Sequence, residues 1–172
     1  MGRLVALGLT LTLLGGPAPL PGVGAGPHRA TQAAPRPPGV APDGSRPRFA
    51  PPVDAPIADP FRAPSGPYGP GNRGIEYATA PGTPVRAIGA GTVAFAGVVA
   101  GRGVVSVDHP SGLRSTYTGL ASRAVGAGEA VALGQVVGTT AAHLHLGLRD
   151  GRTYLDPAAF FGAAPAVLVP DP

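Results

Sequence analysis

The chain has 172 residues, including 28 glycines and 23 prolines, and it contains no cysteine and no tryptophan. Its length allows one ordinary domain, and the absence of cysteine excludes a disulfide framework. The formal net charge is +4, and the 13 basic residues, all arginine, never form a basic run. A nucleic-acid-binding surface is therefore not expected.

The first 25 residues have the organisation of a secretory signal peptide. Arg3 precedes the apolar stretch LVALGLTLTLLGG, and a Val-x-Ala sequence ends at Ala25. The apolar run is too short for a stable membrane span, and no cysteine follows it to carry a lipid anchor. A buried N-terminal strand is the alternative. We expect an exported bacterial protein without an integral membrane span after cleavage.

Residues 26–55 are rich in proline and show no apolar periodicity, as in GPHRATQAAPRPPGVAPDG. Such composition is typical of an extended, polyproline-type linker rather than of packed structure. The last ten residues, 163–172, are expected to form a loosely held tail. The folded part of the chain is therefore predicted to be residues 56–162.

Short apolar runs closed by glycine fill this predicted domain, for example TVAFAGVVAG, RGVVSVDHPSG and EAVALGQVVGTT. Valine-rich runs between glycine, proline and aspartate turns predict an all-β fold, a sheet, sandwich or barrel, with very little helix. Only DPAAFFG predicts a helical turn, with Asp156 as its cap and Pro157 in its first position.

The stretch AAHLHLGLRDG places two of the chain's four histidines one leucine apart. The alternation predicts a strand whose leucines, Leu144 and Leu146, point into the core. His143 and His145 then share the other face about 7 Å apart. The pattern itself is compatible with a metal site, a catalytic pair or ordinary polar positions on a strand.

Three stretches together resemble the lysostaphin/LytM-type zinc metallopeptidases, which are peptidoglycan endopeptidases. They are GNRGIEYATAPGTPVRAIGAGTVAFAGVVAGRGVVSVDHPSGLRSTYTGL, GEAVALGQVVGTT and HLHLGLRDGRTYLDP. The family carries a His-x-x-x-Asp motif before a Gly-Thr-Pro-Val turn, then Tyr-x-His-Leu, and finally His-x-His. The resemblance runs from about residue 67 to 160, and it implies a LytM-like core, an antiparallel β-sheet or sandwich with a substrate groove.

The same resemblance implies a site with altered residues. The three positions of the family's zinc ligands fall on Asn72, Glu76 and His145, and the catalytic histidine falls on His143. The histidine of Tyr-x-His-Leu falls on Gly119, which has no side chain. Catalytic zinc needs three ligands from histidine, cysteine and carboxylate, so zinc binding is expected to be weak. The loop before His143 is also shorter than is usual in the family.

We therefore expect a degenerate LytM-type domain that binds peptidoglycan or regulates a cell-wall hydrolase, secreted, wall-associated and monomeric. The modest positive charge is compatible with attraction to an anionic wall polymer. An active zinc endopeptidase that uses Asn72, Glu76 and His145 is the alternative, and a purely structural β-domain is a third. Restoring histidine at positions 72 and 119 is expected to raise zinc affinity if the backbone is family-like.

Five other side chains are expected to take no part in the chemistry. His109 in VDHPSG is expected to serve a turn at a strand end, and a replacement metal ligand is the alternative. Tyr117 and Tyr154 are interpreted as groove or core aromatics rather than as catalysts. Arg102 and Arg114 are expected to be solvated.

Overall fold

The computed structural model describes residues 46–66 and 69–162. These residues belong to one compact unit, in which nine antiparallel strands form a single sheet. The strands are β1 (Ile57–Asp59), β2 (Gly74–Ala78), β3 (Pro84–Arg86), β4 (Gly91–Val99), β5 (Arg102–Asp108), β6 (Leu113–Arg123), β7 (Ala130–Val131), β8 (Val136–Asp150) and β9 (Thr153–Leu155). The all-β prediction is confirmed.

The spatial order of the strands is β1-β2-β8-β6-β5-β4-β7, and β3 and β9 pair with β8 as well. The long strand β8 therefore lies between β2 and β6. Leu144, Leu146 and Leu148 on β8 are fully buried, whereas His143 and His145 face the opposite side. The alternation predicted for HLHLGL is present, and each buried leucine contributes about 1.5–3 kcal/mol through removal of apolar surface from water.

The core contains apolar residues of the inward sheet face together with side chains from the loops. Tyr117 is the largest side chain that is fully buried. Its hydroxyl accepts a hydrogen bond of 2.8 Å from the backbone N–H of Ile88 and lies 3.2 Å from Ser115 Oγ. This phenol is satisfied inside the core, and burial raises its pKa to about 12.

The helical turn predicted from DPAAFFG is a short 3-10 helix, Pro157–Phe160. Asp156 is its N-cap, and its Oδ1 accepts a hydrogen bond of 3.0 Å from the backbone N–H of Ala158. Proline needs no N–H partner at the start of a helix, which explains why Pro157 fits directly after the cap. In the part of the chain that the structure describes, no helix has the length and apolar character needed to cross a membrane.

The predicted linker packs onto the domain over its last ten residues, so the predicted boundary at residue 55 is wrong for residues 46–55. Phe49 and Val53 are 6% and 7% exposed and belong to the core. The Phe49 N–H donates to Phe160 O at 2.8 Å, and the Gly162 N–H donates to Phe49 O at 3.0 Å. The proline-rich composition of this stretch gave no indication of its two buried apolar side chains or of these backbone hydrogen bonds. The predicted signal peptide, the linker up to residue 45 and the tail 163–172 lie outside the described residues.

Candidate functional site

The outward face of β8 carries the residues that the sequence selected for a site. His143 is exposed and His145 is half-buried on this face. Glu76 on β2 and Thr118 on β6 are both register partners of His145. The sheet order thus brings a carboxylate 69 positions away in sequence beside the second imidazole.

Glu76 and His145 bond directly to each other, with 2.7 Å between Glu76 Oε1 and His145 Nδ1. The imidazole lies over Gly74, where a Cβ would stand only 2.7 Å from two of its ring atoms. Glycine at position 74 therefore provides the room that the ring occupies. The side chains of His145 and Glu76 remain 28% and 37% exposed, respectively, so solvent screens the pair and its contribution to stability is small.

Asn72 lies four positions before Glu76 in the chain, but its amide is engaged with the backbone and with Asp59. Its Nδ2 donates to three oxygens: Asp59 O at 3.3 Å, Asp59 Oδ2 at 3.2 Å and Pro60 O at 3.1 Å. Oδ1 accepts from the backbone N–H of Gly74 at 3.2 Å. The side chain is 8% exposed. Asn72 thus connects the end of β1 to the start of β2.

Gly119 lies where β6 passes close to the backbone of β8. Its φ is +97°, and a Cβ added there would lie less than 3.0 Å from the carbonyl oxygen of His143. The register between β6 and β8 also shifts between Thr118 and Leu120. The backbone of β8 therefore occupies the space into which a side chain at 119 would extend.

A groove of about 760 Å³ lies over this part of the sheet. Glu76, His143 and His145 line it, and so do Asp59 and Arg102, which sequence analysis did not select. Hydrogen bonds from Arg62 hold the pKa of Asp59 below its usual value. The groove presents carboxylates, imidazoles and a guanidinium together, a combination able to bind the charged and polar groups of a peptide.

Asp59 could not have been assigned to the groove from its own neighbourhood, PIADPF. It reaches the groove because β1 pairs with β2, which makes Asp59 the register partner of Glu76. Arg102 was expected to be merely solvated; it is exposed, yet it lines the groove from the start of β5. A strand pairing and a hairpin position, rather than a local motif, bring these two residues to the site.

The donor set does not fit a catalytic zinc ion, the cofactor that the resemblance implies. Glu76 and His145 lie 2.7 Å apart and bond to each other, so a metal ion would have to break this hydrogen bond to bind both side chains. The third position is the neutral amide of Asn72, whose oxygen already accepts a hydrogen bond. Among the described residues, no three or more histidine, cysteine, aspartate or glutamate side chains are grouped so that they could hold a metal ion.

The remaining residues from the sequence analysis lie away from this chemistry or play other parts. His109 is buried in a turn, where its Nδ1 lies 2.9 Å from Ala90 O and its Nε2 lies 2.9 Å from Ser115 Oγ. Tyr117 is in the core, whereas Tyr154 is 40% exposed. Arg114 makes a two-point ion pair with Asp108 at 2.5 and 2.7 Å.

Known proteins are similar to this chain in sequence. The model of Peptidase family M23 matches residues 70–157, about half of the chain. An uncharacterized protein of Mycobacterium tuberculosis is 39% identical over 123 residues, which cover 64% of this chain and 49% of that protein. The chain therefore spans about half the length of the curated relatives it matches.

Two solved structures share the sheet. Helicobacter pylori Csd3 matches with a TM-score of 0.62 and 26% identity over 69% of this chain and 36% of its own. The catalytic domain of the antimicrobial peptidase lysostaphin from Staphylococcus simulans matches with a TM-score of 0.55 and 26% identity. That match covers 62% of this chain and 92% of the lysostaphin domain.

Proposed function

The chain belongs to peptidase family M23, as the resemblance in its sequence predicts, and we propose that it binds peptidoglycan peptides in its groove without cleaving them efficiently. Members of the family are generally zinc metallopeptidases. One observation carries the proposal: Asn72, at the first zinc-ligand position, uses its side-chain amide in hydrogen bonds with Asp59, Pro60 and Gly74. A metal held only by Glu76 and His145 would lack the third ligand that catalytic zinc sites use.

The groove itself remains suited to a ligand. Its volume of about 760 Å³ falls within the usual range of ligand sites, roughly 300–1,000 Å³. His143, Glu76 and Arg102 offer it a ring nitrogen, a carboxylate and a guanidinium. These groups match the amide, amino and carboxylate groups of a short peptide. The signal-peptide pattern of residues 1–25 supports a secreted, wall-associated location for this binding.

A binder of this kind also has a regulatory use that belongs to the proposal. A protein that occupies the peptide on which a cell-wall hydrolase acts either blocks that hydrolase or holds it close to its target. Both effects follow from binding in the groove, and neither needs bond cleavage by this chain.

The test uses the purified full chain and insoluble peptidoglycan. We expect the protein to sediment with the wall material, and His143→Ala and Arg102→Ala to reduce the bound fraction severalfold. Arg123→Ala is the matched control for Arg102, because Arg123 is also exposed but is not among the residues that line the groove. The wild-type protein is expected to release no soluble muropeptides.

Two results would overturn the proposal. Stoichiometric zinc after dialysis, together with muropeptide release that disappears in His145→Ala, would instead assign the chain to the active metallopeptidases. Absence of sedimentation with the wall would leave a structural β-domain without affinity for peptidoglycan.

A further inference from the structure

A second, smaller pocket of about 330 Å³ adjoins the groove, and both are lined by Thr118 and His145. Three arginines from different parts of the chain surround this second pocket: Arg73 before β2, Arg114 on β6 and Arg149 on β8. No acidic residue is among the described residues that line it. We name it the arginine pocket.

Two of these arginines oppose each other in the sheet. Arg114 and Arg149 are register partners across β6 and β8, and like charges directly opposite on neighbouring strands destabilise a sheet. Asp108 offsets part of this repulsion: it bonds to Arg114, and the hydrogen bond from Arg114, with a smaller effect of the Arg149 charge, lowers its pKa. One carboxylate beside two guanidinium groups leaves excess positive charge.

The rest of the arginine pocket holds its shape through contacts within the fold. Arg73 donates to the carbonyl oxygen of Gly69 at 3.3 Å, and its guanidinium lies 5.7 Å from the centre of the Tyr154 ring. Thr116 on β6 lies opposite Gly147 on β8, so β8 contributes no side chain there, and the Thr116 hydroxyl bonds to Ser106 Oγ on β5 at 3.0 Å. The charges therefore surround an open space.

We propose that the arginine pocket binds a carboxylate at one end of the peptide that lies in the groove. This inference rests on the proposed function and names the chemical group that fixes the direction of the peptide. Arg149 lies four positions beyond His145 along β8, a distance of about 13 Å, which is the length of about four residues of extended peptide. Guanidinium groups bind carboxylates through paired hydrogen bonds in a fixed geometry, which gives both affinity and orientation.

The experiment compares two forms of the same soluble peptidoglycan peptide, one with free carboxyl groups and one with all carboxyl groups converted to amides. The full chain is titrated with each form, and binding is followed by isothermal titration calorimetry and by amide shifts in NMR spectra. We expect the free acid to bind about tenfold more tightly than the amide. Arg149→Gln is expected to remove this difference without changing the affinity for the amidated form.

Arg123→Gln is the matched control, since it removes the same charge from an exposed site outside the arginine pocket. It should leave the difference between the two peptides intact, and NMR spectra of both variants check that the fold is retained. Equal binding of the two peptides by the wild-type protein would overturn the inference and leave the proposed function standing. Binding of neither peptide would overturn both.

The third arm uses inorganic phosphate, because guanidinium groups bind phosphate through the same chemistry. If phosphate shifts the amides of Thr116 and Arg149 while the two peptides bind equally, the arginine pocket serves a phosphate-bearing polymer. That result would also overturn the assignment to a peptide carboxylate.

Discussion

Replacing Gly119 by alanine adds one methyl group where β6 passes closest to the backbone of His143. The residue has φ of +97°, and the new Cβ would lie less than 3.0 Å from the His143 carbonyl oxygen. An L-residue in such a conformation costs about 1–3 kcal/mol. Relief of the contact requires a shift of backbone in β6 or β8, which adds to that cost. We expect Gly119→Ala to lower the free energy of unfolding by about 2–5 kcal/mol.

Gly128→Ala separates the two contributions. Gly128 has a similar φ of +88°, but nothing lies within 4 Å of a Cβ added there. This variant should therefore lose only the conformational part, about 1–2 kcal/mol. Both free energies are measured by urea unfolding followed by circular dichroism. If Gly119→Ala lowers the free energy of unfolding no more than Gly128→Ala does, the backbone of β8 can shift at no cost. The argument that position 119 excludes a side chain is then refuted.

The same contact changes the outcome expected for restored histidines. From the sequence, Asn72→His with Gly119→His should raise zinc affinity provided that the backbone is family-like. The structure removes that condition at position 119, because a histidine needs the Cβ that the His143 carbonyl excludes. We therefore expect the double variant to be destabilised, and any gain in zinc affinity to come from Asn72→His, because position 119 is not among the ligand positions that the resemblance implies.

Three further predictions concern stability, each measured by urea unfolding. Asn72→Ala leaves the Gly74 N–H without its partner and should lower the free energy of unfolding by about 1–3 kcal/mol. The control, Gln135→Ala, removes an amide from an exposed turn and should lower it by less than about 1 kcal/mol. Burial lowers the pKa of His109 below 6.5, so the unfolded state binds more protons below that pH. The contribution of His109 to the free energy of unfolding should be fully present above pH 6.5 and should be lost as the pH falls from there through the lower folded-state pKa. If the free energy of unfolding of His109→Gln depends on pH as steeply as that of the wild-type protein, this prediction is contradicted. Phe49→Ala should cost about 3–5 kcal/mol because the ring is 6% exposed, whereas Phe95→Ala, at 40% exposed, should cost far less.

The fold was largely predictable because its signals are local. Valine-rich runs closed by glycine predict strands, and period-two alternation predicts which side of β8 faces the core. Leu144 and Leu146 are buried as that alternation requires. The capped turn at Asp156 and Pro157 was equally readable, since each residue type favours that position for its own backbone reasons.

The site was less predictable because its decisive contacts join distant parts of the chain. Nothing near Asn72 indicates that Asp59 and Pro60 accept hydrogen bonds from its amide. Likewise, the opposition of Arg114 and Arg149 depends on the register of β6 against β8. Strand pairing and register fix these contacts, and a single sequence does not encode them in any local pattern.

The replacements at positions 72 and 119 are best understood as parts of one altered structure rather than as separate losses. The ligand positions implied by the family resemblance lie on β2 and β8 and just before β2, so a metal bound there would tie these strands together. Here the hydrogen bond between Glu76 and His145 joins β2 to β8 directly, and the Asn72 amide ties the start of β2 to the end of β1. The backbone of β8 fills the place of a side chain at position 119. The contacts of Asn72 and Glu76 thus hold β1, β2 and β8 together without an ion, which supports the proposal that the groove binds a peptide without cleaving it efficiently.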